Sequence, residues 1–269
     1  MRQDLKAYFQ QHPGFQQRAG IFFQNDLTSL SDFERPYLQL RQQEGRIYND
    51  DLLMKLPAIP KGHTLQREWN IRHGSAKRLM VYLKKKKISR VVEIGCGNGW
   101  LLRYLHDALQ IEGAGIDVNA TELQQAARVF GKRRKLAFIY ADILAEDFHE
   151  PFADIFVVAS AIQYFPDLKF LLNKLLKLLL PSGEIHILDS PFYAKKGAAL
   201  AKQRSDAYFR KAGSPAMTDL YFHHTWESIQ HYNYHVLYDP TNLWNKIRRL
   251  TTADSPFPWI RIRVHELDR

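Results

Sequence analysis

Cysteine is almost absent from this chain of 269 residues, since Cys96 is the single one, and an internal disulfide cannot form. Long apolar runs are also missing: the leucine-rich stretch 170–180 is short and is interrupted by an asparagine and two lysines, so no segment is expected to span a bilayer. Residues 1–6 lack the apolar core of a signal peptide, and no internal repeat occurs. These absences predict a cytoplasmic protein with an ordinary hydrophobic core.

Positive charge is in excess, with 38 Lys and Arg against 28 Asp and Glu and a formal net charge of +10. Such a balance raises the hypothesis of an anionic partner, either nucleic acid or a membrane surface. Part of the charge falls in the runs 84–87, 132–135 and 195–196, and the first two precede predicted strands. Cations are favourable where helices end, and such runs usually form a solvated face, so nucleic acid stays the secondary hypothesis.

A glycine-rich stretch at 91–100 organises the chain. Val91, Val92 and Ile94 form an apolar β-branched run that predicts a strand inside a parallel sheet. Glycines then occupy positions 95, 97 and 99, and helical spacing resumes at Trp100. Small residues let such a loop turn tightly and approach a ligand, and the helix that follows presents free N–H groups.

An acidic residue strengthens this interpretation. The apolar segment 113–116 ends at Asp117, about twenty residues past Gly97, which is the spacing at which a nucleotide-binding βαβ unit places an acid on ribose hydroxyls. The loop spacing is G-x-G-x-G, whereas nicotinamide oxidoreductases use G-x-G-x-x-G. We therefore expect a nucleoside-binding half-sheet that is not of the dinucleotide type.

The residues Glu93–Gly99 followed by Gly115–Asp117 resemble the first two motifs of class I S-adenosylmethionine-dependent methyltransferases, of the Rossmann-like small-molecule type. The resemblance continues in order through 141–143, 153–161 and 180–184. It covers residues 75–190 well and the remainder loosely. It implies S-adenosylmethionine as the cofactor and methyl transfer as the activity.

The predicted fold class is α/β, a Rossmann-like doubly wound sheet with helices on both faces. The core alternates strands and helices: the predicted strands are 90–95, 113–117, 136–140, 155–160 and 184–189, and the predicted helices are 100–109, 120–130 and 167–180. The resemblance implies seven strands, with the last one antiparallel at the edge. The C-terminal region supplies predicted helices 195–211, 226–232 and 242–250, a strand at 234–238 and an edge strand at 259–264.

Residues 1–74 hold too few core residues for an independent domain and are predicted to form an N-terminal helical arm or lid. A helix opens near Ser31 and ends near Gly45, and a second one spans 65–72. Gly74-Ser75 is expected to interrupt it, with Ser75 capping the next helix. The methyltransferase domain is assigned to 75–269, with a cofactor half at 75–190 and an acceptor-side region at 191–269.

The resemblance implies a set of cofactor-binding residues. Their backbones or side chains would contact the methionine part, the ribose and the adenine. The methionine side is assigned to Glu93, Gly95, Cys96, Gly97, Ala159 and Ser160, the ribose to Asp117, and the adenine to Val118, Asp142 and Ile143. Gly99 of the same loop is included without a separate contact, and Arg72, just before the core, is added as a candidate for the cofactor carboxylate.

Several of these residues have a second interpretation in which their role is structural. Cys96 is either a nucleophile or a small side chain packed under the loop, and the second is favoured by its position. Asp142 is either an adenine ligand or a helix cap, and Asp117 is either a ribose ligand or an exposed turn acid. Arg72 would either reach the cofactor carboxylate or remain solvated beside a packed Trp69.

No general base is identifiable, and a direct displacement at a sulfonium needs few catalytic side chains. The weak candidates are His223, His224 and Tyr164, whereas His186 in the fifth predicted strand is expected to be a buried structural histidine. No pair of histidines has metal-ligand spacing backed by acids or cysteines, so no metal site is predicted.

Three functions remain in competition. Residues 159–165 lack the Pro-Pro-aromatic and Pro-Cys strings of nucleic-acid methyltransferases, which favours a small-molecule methyltransferase. An RNA methyltransferase is supported by the charge, and a non-catalytic binding module of the same fold is the third hypothesis. The acceptor and the oligomeric state do not follow from the residues.

Overall fold

The computed structural model describes residues 4–24, 31–145, 148 and 150–264. Its strands are β1 Gln16–Arg18, β2 Ile21–Phe23, β3 Arg90–Ile94, β4 Glu112–Asp117, β5 Leu136–Tyr140, β6 Ala153–Ala159, β7 Leu179–Leu188, β8 Asn233–Tyr238 and β9 Trp259–Arg263. Its α-helices are α1 Leu5–Gln11, α2 Ser31–Gln43, α3 Asp50–Lys55, α4 Gln66–Lys86, α5 Trp100–Leu109, α6 Ala120–Phe130, α7 Leu168–Lys177, α8 Lys195–Lys211 and α9 Leu243–Thr251.

The strands form one sheet in the order β1-β2-β5-β4-β3-β6-β7-β9-β8. Pairing is parallel from β2 through β7, and β1 and β9 are antiparallel to their neighbours. Alternate side chains of β3 enter opposite cores, with Val92 on the face covered by α1 and α7 and Val91 on the face covered by α4, α5 and α6. The predicted doubly wound α/β sheet is therefore confirmed.

Two details of the predicted sheet are wrong. The sheet has nine strands, because β1 and β2 add to the β5 edge through the register Ile21↔Phe138. The last strand is antiparallel as expected, but it lies between β7 and β8 and is not the edge strand. Strand β9 pairs with β7 on one side and β8 on the other, and its Ile260 and Ile262 are fully buried.

Three helix predictions also differ from the structure. Helix α4 continues through Gly74 and Ser75 without a break, and the Ser75 hydroxyl donates to Oδ1 of Asp189 at 2.7 Å, where we expected it to cap a helix. The predicted helix 226–232 is only a 3₁₀ turn at Trp226–Ser228. Helix α7 ends at Lys177 because Leu179 already pairs with β6. Among the residues described, no helix has both the length and the apolar content that crossing a bilayer requires.

Candidate functional site

The carboxyl ends of β3, β4, β6 and β7 meet at one edge of the sheet, where ligands bind in open α/β folds. The loop at Gly95, the acid Asp117, the hydroxyl of Ser160 and the acid Asp189 follow these strands in turn. Parallel pairing brings them side by side, with Ile94 opposite Ile116 and Ala159 opposite Leu188. Distant parts of the sequence therefore supply one concave site.

The glycine loop has a backbone that only glycine accommodates well. Gly95 has φ +71°, and a Cβ there would lie 2.6 Å from the Cβ of Ala161. Gly99 has φ +72°, and a Cβ there would lie 2.6 Å from Cε1 of Phe138. Both positions combine left-handed backbone with a contact that a side chain would violate. The loop thus packs tightly against the sheet and leads directly into α5 at Trp100.

One cavity, which we call the loop cavity, lies over the glycine loop between α2 and α4. Its walls include most residues that were assigned to the methionine side from the sequence. These are Arg72, Glu93, Gly95, Cys96, Gly97, Ala159 and Ser160. Gly99 is not among the residues that line it, because it lies beneath the loop against Phe138 and Ala126.

A second cavity, the β4–β5 cavity, adjoins the first at the ends of these strands. It is lined by the residues that were assigned to the ribose and the adenine, namely Asp117, Val118, Asp142 and Ile143. Gly95, Ser160 and Tyr37 line both cavities. The two cavities therefore adjoin one another through shared walls.

The Asp117 carboxylate is held by backbone donors. Its Oδ2 accepts the N–H of Gly97 at 2.7 Å, and its Oδ1 accepts the N–H of Asn119 at 2.8 Å. Burial raises its pKa, and these hydrogen bonds oppose that rise. The Oδ1 of Asp142 accepts the N–H of Leu144 at 2.8 Å within a turn, and no helix begins at this residue in the part of the chain that the structure describes. Both acids line the β4–β5 cavity, and hydrogen bonds from backbone N–H groups fix the orientation of their carboxylates.

Glu93 is the buried acid of the loop cavity. It is 4% exposed, and among the described residues its Oε2 has no hydrogen-bond partner. Burial, together with the nearby Asp117, raises the pKa of Glu93 well above its usual range. An unpartnered buried carboxylate oxygen is costly, and a cationic donor in the cavity would relieve that cost. The residues present thus fit a ligand with an ammonium group.

Cys96 and Arg72 line the same cavity, but their side chains have different chemical environments. Cys96 is buried, and burial together with Asp117 and Glu93 raises the pKa of its thiol well above the usual range, which opposes a thiolate nucleophile. The Nε of Arg72 donates to Oε1 of Glu68 at 3.0 Å, and its guanidinium lies 5.5 Å from the Trp69 ring centroid. Arg72 therefore lines the cavity while it is paired with Glu68.

Sequence reasoning missed Glu122 and Arg41, which also line the loop cavity. Burial and the charge of Asp117 raise the pKa of Glu122 to about 7, while its Oε2 accepts the amide of Asn119 at 3.2 Å. The spacing from Asn119 to Glu122 resembles a capping box, so the residue carries no distinct functional signal. Asp189 was missed as well, although its place after the fifth predicted strand was a usable signal.

The three catalytic candidates separate in the structure. The Nε2 of His224 lies 2.9 Å from the carbonyl of Ile162, and the Nε2 of His223 lies 2.9 Å from the hydroxyl of Ser205. Burial lowers the pKa of both histidines, and within the described chain neither is among the residues that line these cavities. Tyr164 does line the β4–β5 cavity.

A third cavity, the α8 cavity, lies beside the loop cavity and shares Arg41, Arg46, Glu68, Arg72, Ser160 and Asp189 with it. Its apolar wall consists of Leu40, Ile71, Tyr164, Tyr208, Phe209, Tyr221 and Phe257. Glu44 and Glu68 are paired with arginines of the same cavity. Arg67 and Arg204 are exposed at this cavity, and the described residues supply no acidic partner for either.

Comparison with known proteins identifies a family model and curated relatives to which this chain is similar. A family model described as a methyltransferase domain matches residues 91–183. Tocopherol O-methyltransferase of Arabidopsis thaliana is 29% identical over 108 residues, which cover 39% of this chain and 31% of the relative. Malonyl-[acyl-carrier protein] O-methyltransferase of Enterobacter lignolyticus is 28% identical over 120 residues, which cover 44% of this chain and 45% of the relative. The chain thus spans less than half the length of these curated relatives.

The fold has solved counterparts. The crystal structure of geranyl diphosphate C-methyltransferase from Streptomyces coelicolor A3(2), in complex with S-adenosyl-L-homocysteine, superposes with a TM-score of 0.54 at 13% identity. The superposition covers 87% of this chain and 96% of that chain. At this identity the likeness concerns the fold, whereas the family model concerns the sequence of residues 91–183. Residues 91–183 are therefore similar in sequence to a methyltransferase domain, and the chain shares its fold with a solved methyltransferase.

Proposed function

We propose that this chain transfers a methyl group from S-adenosylmethionine to a small-molecule acceptor bound in the α8 cavity. One observation carries the proposal: the α8 cavity and the loop cavity share Arg72, Ser160 and Asp189 as a common wall. An acceptor there would lie next to the methionine side of the cofactor. When bound, the cofactor supplies an electrophilic methyl group, and the protein must align the partners and exclude water.

The proposed cofactor contacts follow the two polar ends of the site. Asp117 accepts hydrogen bonds from the ribose hydroxyls, and Asp142 with the backbone of Ile143 binds the adenine edge, while Val118 packs on the ring. Glu93 receives the ammonium group, which matches its unpartnered Oε2. The arginine at position 72 pairs with the cofactor carboxylate, supported by the backbone of the glycine loop.

Water exclusion is assigned to α2 and to the turn after β6. The rings of Phe33 and Tyr37 lie 5.4 Å apart, and both pack edge-on against Tyr164, at 5.5 and 5.6 Å. Phe33, Tyr37 and Tyr164 line the β4–β5 cavity, and Tyr164 also lines the α8 cavity. We propose that this aromatic cluster shields the adenosine part and orients the acceptor, with Tyr164 as a positioning residue.

The acceptor class follows from the walls of the α8 cavity. Aromatic side chains suit a flat or apolar body, and the exposed guanidinium groups of Arg67 and Arg204 suit an anionic group on that body. We therefore propose a small apolar or aromatic acceptor that carries a carboxylate or a phosphate. The basic runs at 84–87 and 132–135 do not support the RNA hypothesis, since they precede β3 and β5 at the opposite edge of the sheet.

Calorimetric titration of the full chain tests the cofactor first. S-adenosylmethionine and S-adenosylhomocysteine should bind with micromolar dissociation constants at low and high salt, while NADH should not bind. Transfer of labelled methyl is then measured with anionic aromatic acceptors and their neutral amide or alcohol counterparts. Adenosyl binding without transfer to any acceptor would favour the binding-module hypothesis, and no adenosyl binding would contradict the proposal.

A matched pair of variants tests the acceptor class. Arg204→Ala should raise the KM for an anionic acceptor about tenfold and leave the KM for a neutral counterpart unchanged. Lys196→Ala, which removes a charge on the same helix outside the cavity, should change neither value. Equal changes for both acceptors would contradict the assignment of an anionic group.

A further inference from the structure

Helix α9 contributes none of its side chains to the buried core. Leu243 is 68% exposed, Trp244 79%, Ile247 49% and Leu250 85%. At 3.6 residues per turn these four side chains share one face of the helix, an arc of about 120°. A row of large apolar groups in water is unfavourable and marks a surface that meets something else.

Polar contacts hold α9 in place with this row turned outward. The Asn242 side chain accepts the N–H of Trp244 at 3.0 Å, and the Asn245 amide donates to the carbonyl of Asp239 at 2.7 Å. Arg248 forms an ion pair with Asp254, which also accepts from Arg78 of α4 at 2.7 Å. A helix of nine residues is marginal by itself, so these contacts fix the orientation of the exposed row.

Cations surround the apolar row. Lys246 and Arg248 lie on either side of its arc, and Arg249 lies behind it, while α9 contains no acidic residue. Next to α9 a groove is lined by Lys77, Arg78, Val81 and Lys85 of α4 and by Leu237 of β8. Lys77, Lys85 and Lys246 are exposed and Arg249 is half-buried, and the described parts of the chain offer them no acidic partner. The face is therefore both apolar and basic.

We propose that α9 and the adjoining α4 groove bind the surface of an anionic lipid bilayer. The four apolar side chains would enter the boundary between headgroups and acyl chains, and the tryptophan suits that boundary because its ring is apolar and its N–H is polar. The lysines and arginines would attract the anionic headgroups, and their long stems allow the charges to stay at headgroup level.

The positive charge of this face favours an anionic lipid surface over a second copy of the chain. A symmetric dimer through α9 would bring Lys246 and Arg249 of both copies into one interface, while Arg248 is already paired with Asp254. Like charges at such a contact repel, whereas an anionic surface neutralises all of them. The proposal does not depend on methyl transfer, because α9 lines none of the three cavities of the candidate site among the residues described.

Vesicle flotation of the full chain tests the proposal. We expect binding to vesicles of phosphatidylcholine mixed with phosphatidylglycerol, weaker binding at high salt, and little binding to phosphatidylcholine alone. Trp244→Ala and Leu250→Ser should each reduce the partition coefficient about tenfold. The charge variant Lys246→Glu/Arg249→Glu should reduce it by a similar factor. The matched control is Phe170→Ser, because Phe170 is 52% exposed on α7; its partition coefficient should not change.

A second measurement reports on α9 directly. Quenching of tryptophan fluorescence by brominated lipid should appear in the wild-type chain and be lost in Trp244→Ala, because Trp244 is the exposed tryptophan of the five. Absence of binding to the anionic vesicles, or equal binding by the α9 variants, would overturn the proposal. So would dimers in light scattering that Leu250→Ser dissociates, or single-stranded RNA binding that the same variants abolish.

Discussion

The backbone N–H of Gly97 donates to Oδ2 of Asp117 at 2.7 Å, and this bond joins the glycine loop after β3 to the end of β4. The two residues are twenty positions apart, and the parallel register of β3 and β4 brings them together. The Asn119 N–H holds the other carboxylate oxygen at 2.8 Å. The acid is therefore oriented before any ligand arrives, with accepting capacity left on each oxygen.

The first prediction concerns this carboxylate. Asp117→Ala should weaken S-adenosylmethionine binding by about 1–3 kcal/mol, because it removes charge-assisted hydrogen bonds to the ribose. Calorimetric titration measures the change. 5′-Methylthioadenosine, which keeps the ribose and lacks the amino-acid end, should lose affinity by a similar factor. Asp107→Ala is the control, since Asp107 pairs with Arg133 on the outer side of α5. Unchanged affinity in Asp117→Ala would remove the ribose assignment.

The second prediction concerns the loop glycine nearest α5. Gly99→Ala should destabilise the fold by about 2–4 kcal/mol, because it adds left-handed backbone strain to a contact of 2.6 Å with Phe138. Urea unfolding followed by circular dichroism measures the change. A loss below about 1 kcal/mol would mean that the loop relaxes without cost.

A matched glycine on a helix provides the control for this substitution. Gly197 lies in the first turn of α8, and a Cβ there meets nothing within 4 Å. Gly197→Ala should therefore leave stability unchanged or raise it by up to about 1 kcal/mol, since alanine is the better helix former. If Gly99→Ala lowers the free energy of unfolding and Gly197→Ala does not, the loss comes from the local backbone geometry at Gly99. It would not come from the replacement of a glycine as such.

The middle of the fold could be predicted because local and long-range signals agree there. Val91, Val92 and Ile94 are apolar on both faces of β3, and Asp117 follows β4 at the spacing that a βαβ unit imposes. The family resemblance that begins with this pattern implied most of the predicted cofactor residues. Twelve were assigned, and all except Gly99 line the loop cavity or the β4–β5 cavity.

The edges of the sheet could not be predicted because their signals are not local. Gln16–Arg18 is polar and exposed, and it becomes a strand only because β2 pairs with β5 more than a hundred residues later. Gly74 predicts a break, yet α4 continues because Ser75 and Trp69 are buried against the core and outweigh the glycine. Arg41 and Tyr37 reach the site through tertiary packing of α2, which periodicity does not encode.

The third prediction concerns acid stability. Glu184 accepts hydrogen bonds from Tyr82 at 2.6 Å and from Nε of Arg263 at 2.7 Å, and it contacts His186 at 3.1 Å. Burial opposes ionisation, but the hydrogen bonds outweigh it and lower the pKa of Glu184 to about 2. A lowered folded pKa gives stability that is present above the unfolded pKa of about 4.3 and lost as the pH falls through about 2.

Glu184→Gln should remove this pH dependence. The variant should be less stable than the wild type at pH 7 by about 1–3 kcal/mol, and the difference should shrink as the pH falls from about 4.3 to about 2. Denaturant unfolding across this range measures it. Asp51→Asn is the control, because Asp51 is exposed at the start of α3. A difference that stays constant down to the lowest pH would contradict the lowered pKa.

The fourth prediction concerns Glu93, whose pKa burial and Asp117 raise well above the usual range. A raised folded pKa means that the folded state binds the extra proton, so stability falls as the pH rises above the unfolded pKa of about 4.3. Glu93→Gln keeps the shape and removes the buried charge, so the variant should be more stable than the wild type at neutral pH. Thermal unfolding of the ligand-free protein measures this gain.

The same variant should bind the cofactor less well, because the amide cannot neutralise an ammonium group. We expect about a tenfold or larger loss for S-adenosylmethionine and no loss for 5′-methylthioadenosine, which has no amino-acid end. This selectivity distinguishes Glu93 from Asp117, whose substitution should weaken both ligands. Equal losses for the two ligands in Glu93→Gln would mean that the acid acts by supporting the glycine loop, and the assigned contact with the ammonium group would be wrong.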